Sequence, residues 1–412
     1  METMTMPGAG VTEAELDALL ATVRDAEATY LEELERLVNI DCGSYTPAGV
    51  DEIGRFVASF MEADGARVDV RPDPAGHLGA TVIGTWDGEN GTPDGPRILL
   101  IGHMDTVFDP STAAQRPFGI DADGIARGPG VTDMKSGLLA GLHAVRALRA
   151  AGPLPFERLT FVANPDEEIG SPTSTPHIRA IAADADVCLV LECARANGNI
   201  VSSRKGILDA RVAITGRAAH AGVEPEKGRS AILAAADLVA RLHALNGRWD
   251  GVTVNVGQIR GGTRPNVVAE HCVLEIDLRA VRRADLETVE ATIRDELTRL
   301  SVPDTTATLT EMARWWPMEK LERSGRLVEH ALAIASRLGF EMHDQATGGA
   351  SDGNTTSGMG IPTIDGLGPI GGLDHSPDEY MEIASIVPRT ALLAGLLLAI
   401  GRDPVVIGWR AE

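Results

Sequence analysis

Hydrophobic residues recur at three- and four-residue spacing among Glu and Asp over residues 11–40 (VTEAELDALL…LEELERLVNI), which predicts a pair of acidic amphipathic helices or one long one. Thr12 and Glu15 have the spacing of a capping box at its start. The same period returns over 50–64 and stops at Asp64-Gly65, a helix-end signal. The texture then changes to RVDVRP and ATVIGTW, which read as strands, and to RILLIGHMD, a continuous apolar run ending in polar residues. Residues 136–151 (SGLLAGLHAVRALRAA) predict a helix, and RLTFVANPDEE and DVCLVLEC predict two more buried strands. Apolar runs that end in His or carboxylates, with helices between them, indicate an open α/β sheet, whose ligands sit beyond the carboxyl ends of its strands.

Between about 203 and 315 the apolar positions alternate instead. GILDARVAITG, GVTVNVGQIRGG, VVAEHCVLEIDLRAV and TTATLTEMARW read as half-buried strands, and SAILAAADLVARLHAL and ADLETVEATIRDELTRL as helices. The order strand–helix–strand–strand–helix–strand predicts a separate α+β sandwich inserted into the first domain. From 321 the α/β texture returns with the helix LVEHALAIASRLGF, a Gly-rich loop, a short strand near IPTIDGLGP and a closing helix. The expected domains are 1–202 and 317–412 for the α/β part, interrupted by 203–316.

Composition narrows the class of function. Lys and Arg number 37 against 59 Asp and Glu, a formal charge of −22, which argues against nucleic acid or an anionic membrane as partner because both need a basic patch. The four cysteines, Cys42, Cys188, Cys193 and Cys272, form no CxxC, so neither a disulfide framework nor a thiolate zinc knuckle is expected. METMTMPGAGVTEAEL lacks a basic segment followed by an apolar one, and the longest apolar run, Ala391 to Ile400, is about half a membrane span. The expectation is a soluble cytoplasmic protein.

Five segments end an apolar run with a metal-type ligand. ILLIGHMDTV places His103 and Asp105 two apart, on one face of a strand end. RGPGVTDMKSG puts Asp133 just before a helix, where an ordinary N-cap would also be found. LTFVANPDEEIGS clusters Asp166, Glu167 and Glu168, DVCLVLECAR closes on Glu192, and GGLDHSPDEY holds His375 in a Gly/Pro loop. Each alone is weak. Together, two His and several carboxylates at successive strand ends form a nitrogen and oxygen donor set suited to zinc or a similar divalent ion. Two metals would need a bridging carboxylate, and a spare Glu could deprotonate bound water.

These motifs (GHMDTV, GVTDMKSG, PDEEIGS, AAHAG, DHSPDEY) resemble, in order and spacing, the two-domain dinuclear zinc amidohydrolases that include bacterial glutamate carboxypeptidase, acetylornithine deacetylase, succinyl-diaminopimelate desuccinylase and aminoacylase. The resemblance runs from about residue 30 to 405 and is nearest to the glutamate carboxypeptidase branch. It implies a zinc-exopeptidase domain with a central mixed sheet flanked by helices, and an inserted α+β dimerisation domain. It also implies two zinc ions, with cobalt or manganese as substitutes. His103 and Glu192 would hold one, Glu168 and His375 the other, with Asp133 bridging and a cis peptide after it. Asp105 would orient His103, and Glu167 would act as general base towards zinc-bound water.

His220 (GRAAHAGVEPEKG) matches a residue that reaches the partner subunit's site in a homodimer and would stabilise the oxyanion. Asn266 and Arg314 match positions holding the substrate's free carboxylate. Arg279 reads equally as site-lining or as a strand ion pair, and Gly348 and Gly349 resemble a substrate-side glycine loop. Trp315-Trp316 would wall the pocket or pack between domains. Arg204-Lys205 would attract an acidic substrate or be solvated. The implied activity is release of a carboxyl-terminal amino acid, glutamate first, from a small acyl-amino acid or short peptide. The rivals are an N-acyl-amino-acid deacylase and a catalytically silent binding protein. A nucleotide-binding reading fails for lack of GxGxxG or GxxxxGK[ST].

Overall fold

The computed structural model describes residues 6–8, 10–88 and 95–409, so part of the amino-terminal segment read for a leader lies outside the described residues. The chain forms two compact units, one of residues 1–202, 320–347 and 351–412, the other of 203–319 and 348–350.

The first unit is built on a six-stranded sheet with the order Arg67–Arg71, Thr81–Asp87, Arg158–Asn164, Arg97–His103, Val187–Val190, Thr363–Ile364. Its last four strands run parallel and the second pairs antiparallel with both of its neighbours, which makes the mixed sheet the resemblance implied. Both faces are covered. Ile98 and Leu100 enter one core, and the intervening Leu99 and Ile101 enter the other, so the run RILLIGH is apolar throughout because neither face meets water. The larger core receives the helices Glu13–Asp25, Glu27–Val38, Pro47–Ala63, Ser136–Ala151 and Ile386–Arg402.

The amino-terminal pattern resolves as two helices, broken at Ala26, and the capping box is formed, with Thr12 N donating to Glu15 Oε2 at 2.8 Å and Glu15 N to Thr12 Oγ1 at 3.2 Å. The closing helix is longer than its apolar run suggested. Residues 383–402 are long and apolar enough to cross a membrane, with mean hydropathy 2.0, yet 83% of that window is buried inside the unit. Its apolarity is that of a core helix.

The second unit is an antiparallel sheet in the order Thr253–Gly261, His271–Ala280, Gly206–Thr215, Thr306–Trp315. Helices Ala231–His243 and Arg283–Leu297 supply the remaining layer of its core. Leu208, Ala210, Val212 and Ile214 alternate into that core, as the sequence period required. A small sheet in the first unit was not anticipated: Gly371–Gly372, Tyr380–Glu382, Ile125–Arg127 and Gly119–Ile120 pair in that order. Its strands are two or three residues long, too short to leave a period in the sequence.

Candidate metal centre

Three strand ends and two loops of the first unit bring the five expected ligands together. His103 is the last residue of its strand and is buried. Its Nδ1 lies 3.0 Å from the Asp105 carbonyl oxygen and 3.3 Å from Asp105 Oδ1, and its Nε2 lies 3.1 Å from Asp133 Oδ1 and 3.6 Å from Glu192 Oε1. The other oxygen of Asp133 is 3.1 Å from His375 Nε2, which also lies 3.1 Å from Glu168 Oε2. Asp133 therefore faces one histidine with each oxygen. Donor atoms of His103, Glu167 and Glu192 lie within 4.8 Å of one another, and so do those of His103, Asp133 and Glu168.

The local fold explains this convergence. Gly130 (φ 72°) turns the chain ahead of Asp133 in the left-handed region, and a Cβ there would sit 2.6 Å from Thr106 Cγ2. The Asp133–Met134 peptide is cis, and helix Ser136–Ala151 begins two residues later. A Cβ on Gly137 would fall 1.8 Å from the Leu191 carbonyl oxygen, so only glycine lets this helix approach the chain that carries Glu192.

Asp105 does more than face His103. Its carboxylate accepts from Ser44 Oγ at 2.6 Å and from the backbone N–H groups of Glu167 and Glu168 at 3.1 and 3.2 Å. One buried side chain thus fixes a ligand ring and the backbone of the two neighbouring glutamates. Asp166 holds the same loop from its other end, accepting from Thr173 N at 2.6 Å and from the Thr173 and Ser174 hydroxyls.

The charges are those of a cation site. Burial pushes the Glu167 carboxyl well above its usual range, and Glu192, Asp352 and Glu168 add to this against the opposing pull of His103. Burial works against protonation of His103, yet Asp105, Asp133, Glu192 and Glu167 raise it well above the ordinary imidazole value. The hydrogen bonds of Asp133 and Glu168 push His375 up to about 11. Carboxylates this close repel one another unless protons or cations intervene. A divalent ion held by imidazole nitrogen and carboxylate oxygen would relieve that repulsion, so the donor set fits a metal.

Two participants were not singled out in the sequence. Glu379 is almost fully buried, and its carboxylate accepts from the backbone N–H groups of Gly130, Thr132 and Asp133 at 2.9, 2.9 and 3.0 Å. Burial pushes it up to about 7 against those three donors. It lies inside DHSPDEY, four residues after His375, where an acid between Asp and Tyr looks like surface. Asp352 is also buried, accepts from Ser171 Oγ at 2.6 Å and from Asn164 Nδ2, and is pushed up to about 6 by burial.

The remaining expected residues belong to the second unit. His220 and Asn266 share one exposed corner, where Ala221 N donates to the Asn266 carbonyl at 3.0 Å and His220 Nδ1 accepts from Gly222 N at 3.1 Å. Arg279 pairs with Asp277 at 3.1 Å and donates through Nη1 to the Gly348 carbonyl at 3.1 Å. Arg204 is buried, its Nη1 donating to the Gly349 carbonyl at 3.2 Å, so it holds the glycine turn instead of standing in solvent. Arg314 lies opposite Leu208 and Arg279 opposite Ile207, so the two arginines project from opposite faces of the sheet. Arg314 faces the helix layer, where Glu290 holds its Nη2 at 2.6 Å, and Glu311 of its own strand holds the same atom at 2.6 Å. Trp316 packs on the second unit's core beneath the guanidinium groups of Arg283 (3.9 Å) and Arg314 (4.9 Å).

A buried histidine at a strand end and an exposed loop histidine, facing one another across carboxylates, define with the family pattern a metal-dependent hydrolase of the exopeptidase and amidohydrolase type. The chain belongs to peptidase family M20/M25/M40, whose pattern matches residues 99–399. It is 28% identical over 405 residues to carboxypeptidase G2 of Pseudomonas sp. (strain RS-16), covering 97% of this chain and 96% of that one. It is 27% identical over 361 residues to succinyl-diaminopimelate desuccinylase of Leptothrix cholodnii, covering 81% and 89%. Aminopeptidase PepT from Bacillus cereus shares the fold, with a TM-score of 0.73 at 24% identity over 91% of this chain and 99% of that one. The family and the mixed α/β fold expected from the sequence are thereby established.

Proposed function

We propose that the protein releases an amino acid bearing a free carboxylate from an amide bond, with carboxyl-terminal glutamate as the first substrate to test. Asp133 carries this reading, because its two oxygens each lie 3.1 Å from a different histidine, His103 and His375. A carboxylate shared in this way suits a bridge between two divalent ions. His103 with Glu192 would hold one and His375 with Glu168 the other. Zinc fits the donor set, and cobalt or manganese could replace it. Such ions would polarise the scissile carbonyl and lower the pKa of water at the site.

Glu167 has no ligand duty in this assignment. It takes a proton from the attacking water and returns it to the leaving nitrogen, while Asp105 keeps the His103 ring and the Glu167 backbone in place. Arg279, Asn266 and the Gly348–Gly349 turn receive the substrate carboxylate. Arg314 comes second in that role because Glu290 and Glu311 already match its charge. His220 would complete the oxyanion site of a partner subunit in a homodimer built on the second unit. The edge strand Thr253–Gly261 and the exposed Ile232, Leu233 and Ile259 support such an interface.

The test is release of free amino acid from N-benzoyl-glutamate and N-benzoyl-phenylalanine by chelator-stripped protein, before and after zinc is restored. Zinc-dependent release of glutamate over phenylalanine is the expected outcome. Preference for phenylalanine removes the glutamate assignment, and no release from either compound, with release from N-acetyl-ornithine, replaces it with a deacylase.

A further inference from the structure

The loop that carries Glu167 and Glu168 leaves its strand at Asn164 and ends at Ser171. Asp105 holds its middle through the backbone N–H groups of both glutamates. Its start is tied to the strand of His103: Asn164 lies opposite His103 in the parallel register, and its carbonyl accepts from Met104 N at 2.8 Å. Its end turns sharply. The Glu167 carbonyl accepts from Gly170 N at 2.8 Å and the Asp166 carbonyl from Ser171 N at 2.7 Å, with Gly170 at φ 90° and Ser171 at φ 54°. Glycine adopts that left-handed backbone freely, whereas Ser171 adopts it at a steric cost that surrounding contacts must offset.

One buried carboxylate joins the two ends of this loop. Asp352 accepts from Ser171 Oγ at 2.6 Å with one oxygen and from Asn164 Nδ2 with the other, and Asn164 Nδ2 lies 3.5 Å from Ser171 Oγ. All three residues are buried. Asp352 is itself firmly seated as the first residue of the helix Asp352–Gly358. Ahead of it, Ser351 N donates to Asn354 Oδ1 at 3.0 Å, and Ser351 Oγ accepts from Gly353 N at 3.1 Å and donates to Asp365 Oδ2 at 2.6 Å. Among the described residues the hydrogen-bond partners of the Asp352 side chain are these two neutral groups, so no ion pair offsets the burial of its charge. Such a carboxylate is costly as packing, and its two oxygens meet the two points where the glutamate loop begins and ends.

We propose that Asp352 is a positioning residue for Glu167: it clamps Asn164 to Ser171, and so fixes the loop from which Glu167 works on the attacking water. The inference rests on the amide-hydrolase reading above, in which Glu167 is the base. At saturating zinc, Asp352→Ala should lower kcat for N-benzoyl-L-glutamate by about 10- to 100-fold with KM changed by under about threefold. Asp352→Asn should restore kcat to within about threefold of the wild type, because its amide nitrogen can donate to Ser171 Oγ while its oxygen accepts from Asn164 Nδ2. Ser171→Gly removes one contact without straining a backbone at φ 54°, and it carries the same test if Asp352→Ala fails to fold. Its kcat should fall about tenfold. Hydrogen exchange read by mass spectrometry, with and without zinc, follows the loop independently of turnover. Amides of residues 166–171 should exchange about tenfold faster in Asp352→Ala than in the wild type or Asp352→Asn. Wild-type exchange over that loop, or wild-type kcat, in Asp352→Ala and Ser171→Gly overturns the proposal, even if their melting temperatures fall. An Asp352→Asn variant as slow as Asp352→Ala also overturns it, since charge and not the clamp would then matter. No amino acid released by the zinc-loaded wild type from N-benzoyl-glutamate or N-acetyl-ornithine, with the exchange difference as expected, would instead overturn the hydrolase reading and leave the clamp standing.

Discussion

The two units hold their functional candidates differently. In the first, His103, Asp133, Glu167, Glu168, Glu192 and His375 crowd into one cluster, where burial and neighbouring carboxylates push Glu167 and Glu168 up. In the second, Arg279 and Arg314 have carboxylate partners of their own, and His220 and Asn266 stand exposed at a corner. The first arrangement is costly without a cation and gains its purpose from one; the second is satisfied without a ligand. Electrostatic repulsion among buried carboxylates therefore marks the candidate metal centre, whereas the residues proposed to receive the substrate carry no comparable mark.

The sharpest test of this contrast is Glu167→Gln. The variant keeps the size and the backbone bonds to Asp105, so zinc content should stay that of the wild type. Turnover should fall by a factor on the order of 10²–10⁴, the usual worth of a positioned general base. Zinc measured by emission spectroscopy alongside initial rates decides it. Retained turnover would take the proton-transfer role from Glu167.

Next in size is the pair Arg279→Gln and Arg314→Gln. If Arg279 reads the carboxylate, its variant should raise KM by roughly 10- to 100-fold with a melting temperature near that of the wild type. Arg314→Gln should do the reverse, leaving Glu311 unmatched and Glu290 with Arg294 alone, and lowering stability by about 1 kcal/mol with little effect on KM. Steady-state kinetics with denaturant unfolding of the metal-loaded protein separates the two. A KM effect confined to Arg314 would show that its carboxylate partners release it for substrate.

How much was legible in the sequence follows the same division. Three of the candidate ligands, His103, Glu168 and Glu192, could be picked out because each ends or follows a strand that is apolar throughout, as His103 ends RILLIGH, whereas Asp133 and His375 lie in loops and drew their assignment from the resemblance. The inserted unit was readable because its strands alternate cleanly over ten residues, as in Gly206–Thr215. Glu379 was not, because its role lies in three backbone N–H groups some 250 residues away, and backbone donors leave no residue signature. Nor could spacing show that a bulge between Glu311 and Ala313 precedes Arg314, which then projects towards the helix layer and Glu290.

Glu379→Gln tests the part that the sequence hid. Glutamine can still accept with one atom, but its amide N–H then opposes a backbone N–H, so the loop carrying Asp133 loses a fixed contact. Metal affinity should fall about 10- to 100-fold, the usual effect of removing a partner outside the ligand shell. The His103 and Glu192 side should be affected less than the His375 side, because Glu379 shares a hairpin with His375. Titration of chelator-stripped protein with cobalt, followed by its visible spectrum, reports both affinity and coordination. An unchanged titration with lowered thermal stability would reduce Glu379 to a packing role.

The smallest effect is expected far from the chemistry, at Asp403. This carboxylate accepts from Arg326 Nε at 2.8 Å and lies 2.7 Å from His330 Nε2, while Gly8 N donates to His330 Nδ1 at 3.0 Å. Burial opposes its charge, but His330 and Arg326 hold it well below the ordinary value of 3.8. A carboxyl lowered on folding contributes stability that is complete above its unfolded value and lost as pH falls towards the folded one. The wild type should therefore lose stability below about pH 4 in part through this group. Asp403→Asn should be less stable at neutral pH and show a shallower acid limb, visible in melting temperatures from pH 6 down to 3. Metal-loaded turnover at neutral pH should be unchanged within about twofold, because additivity holds for distant sites that share no partners. A parallel acid limb in wild type and variant would assign the acid sensitivity to the metal cluster, whose carboxylates compete with protons for the same charge.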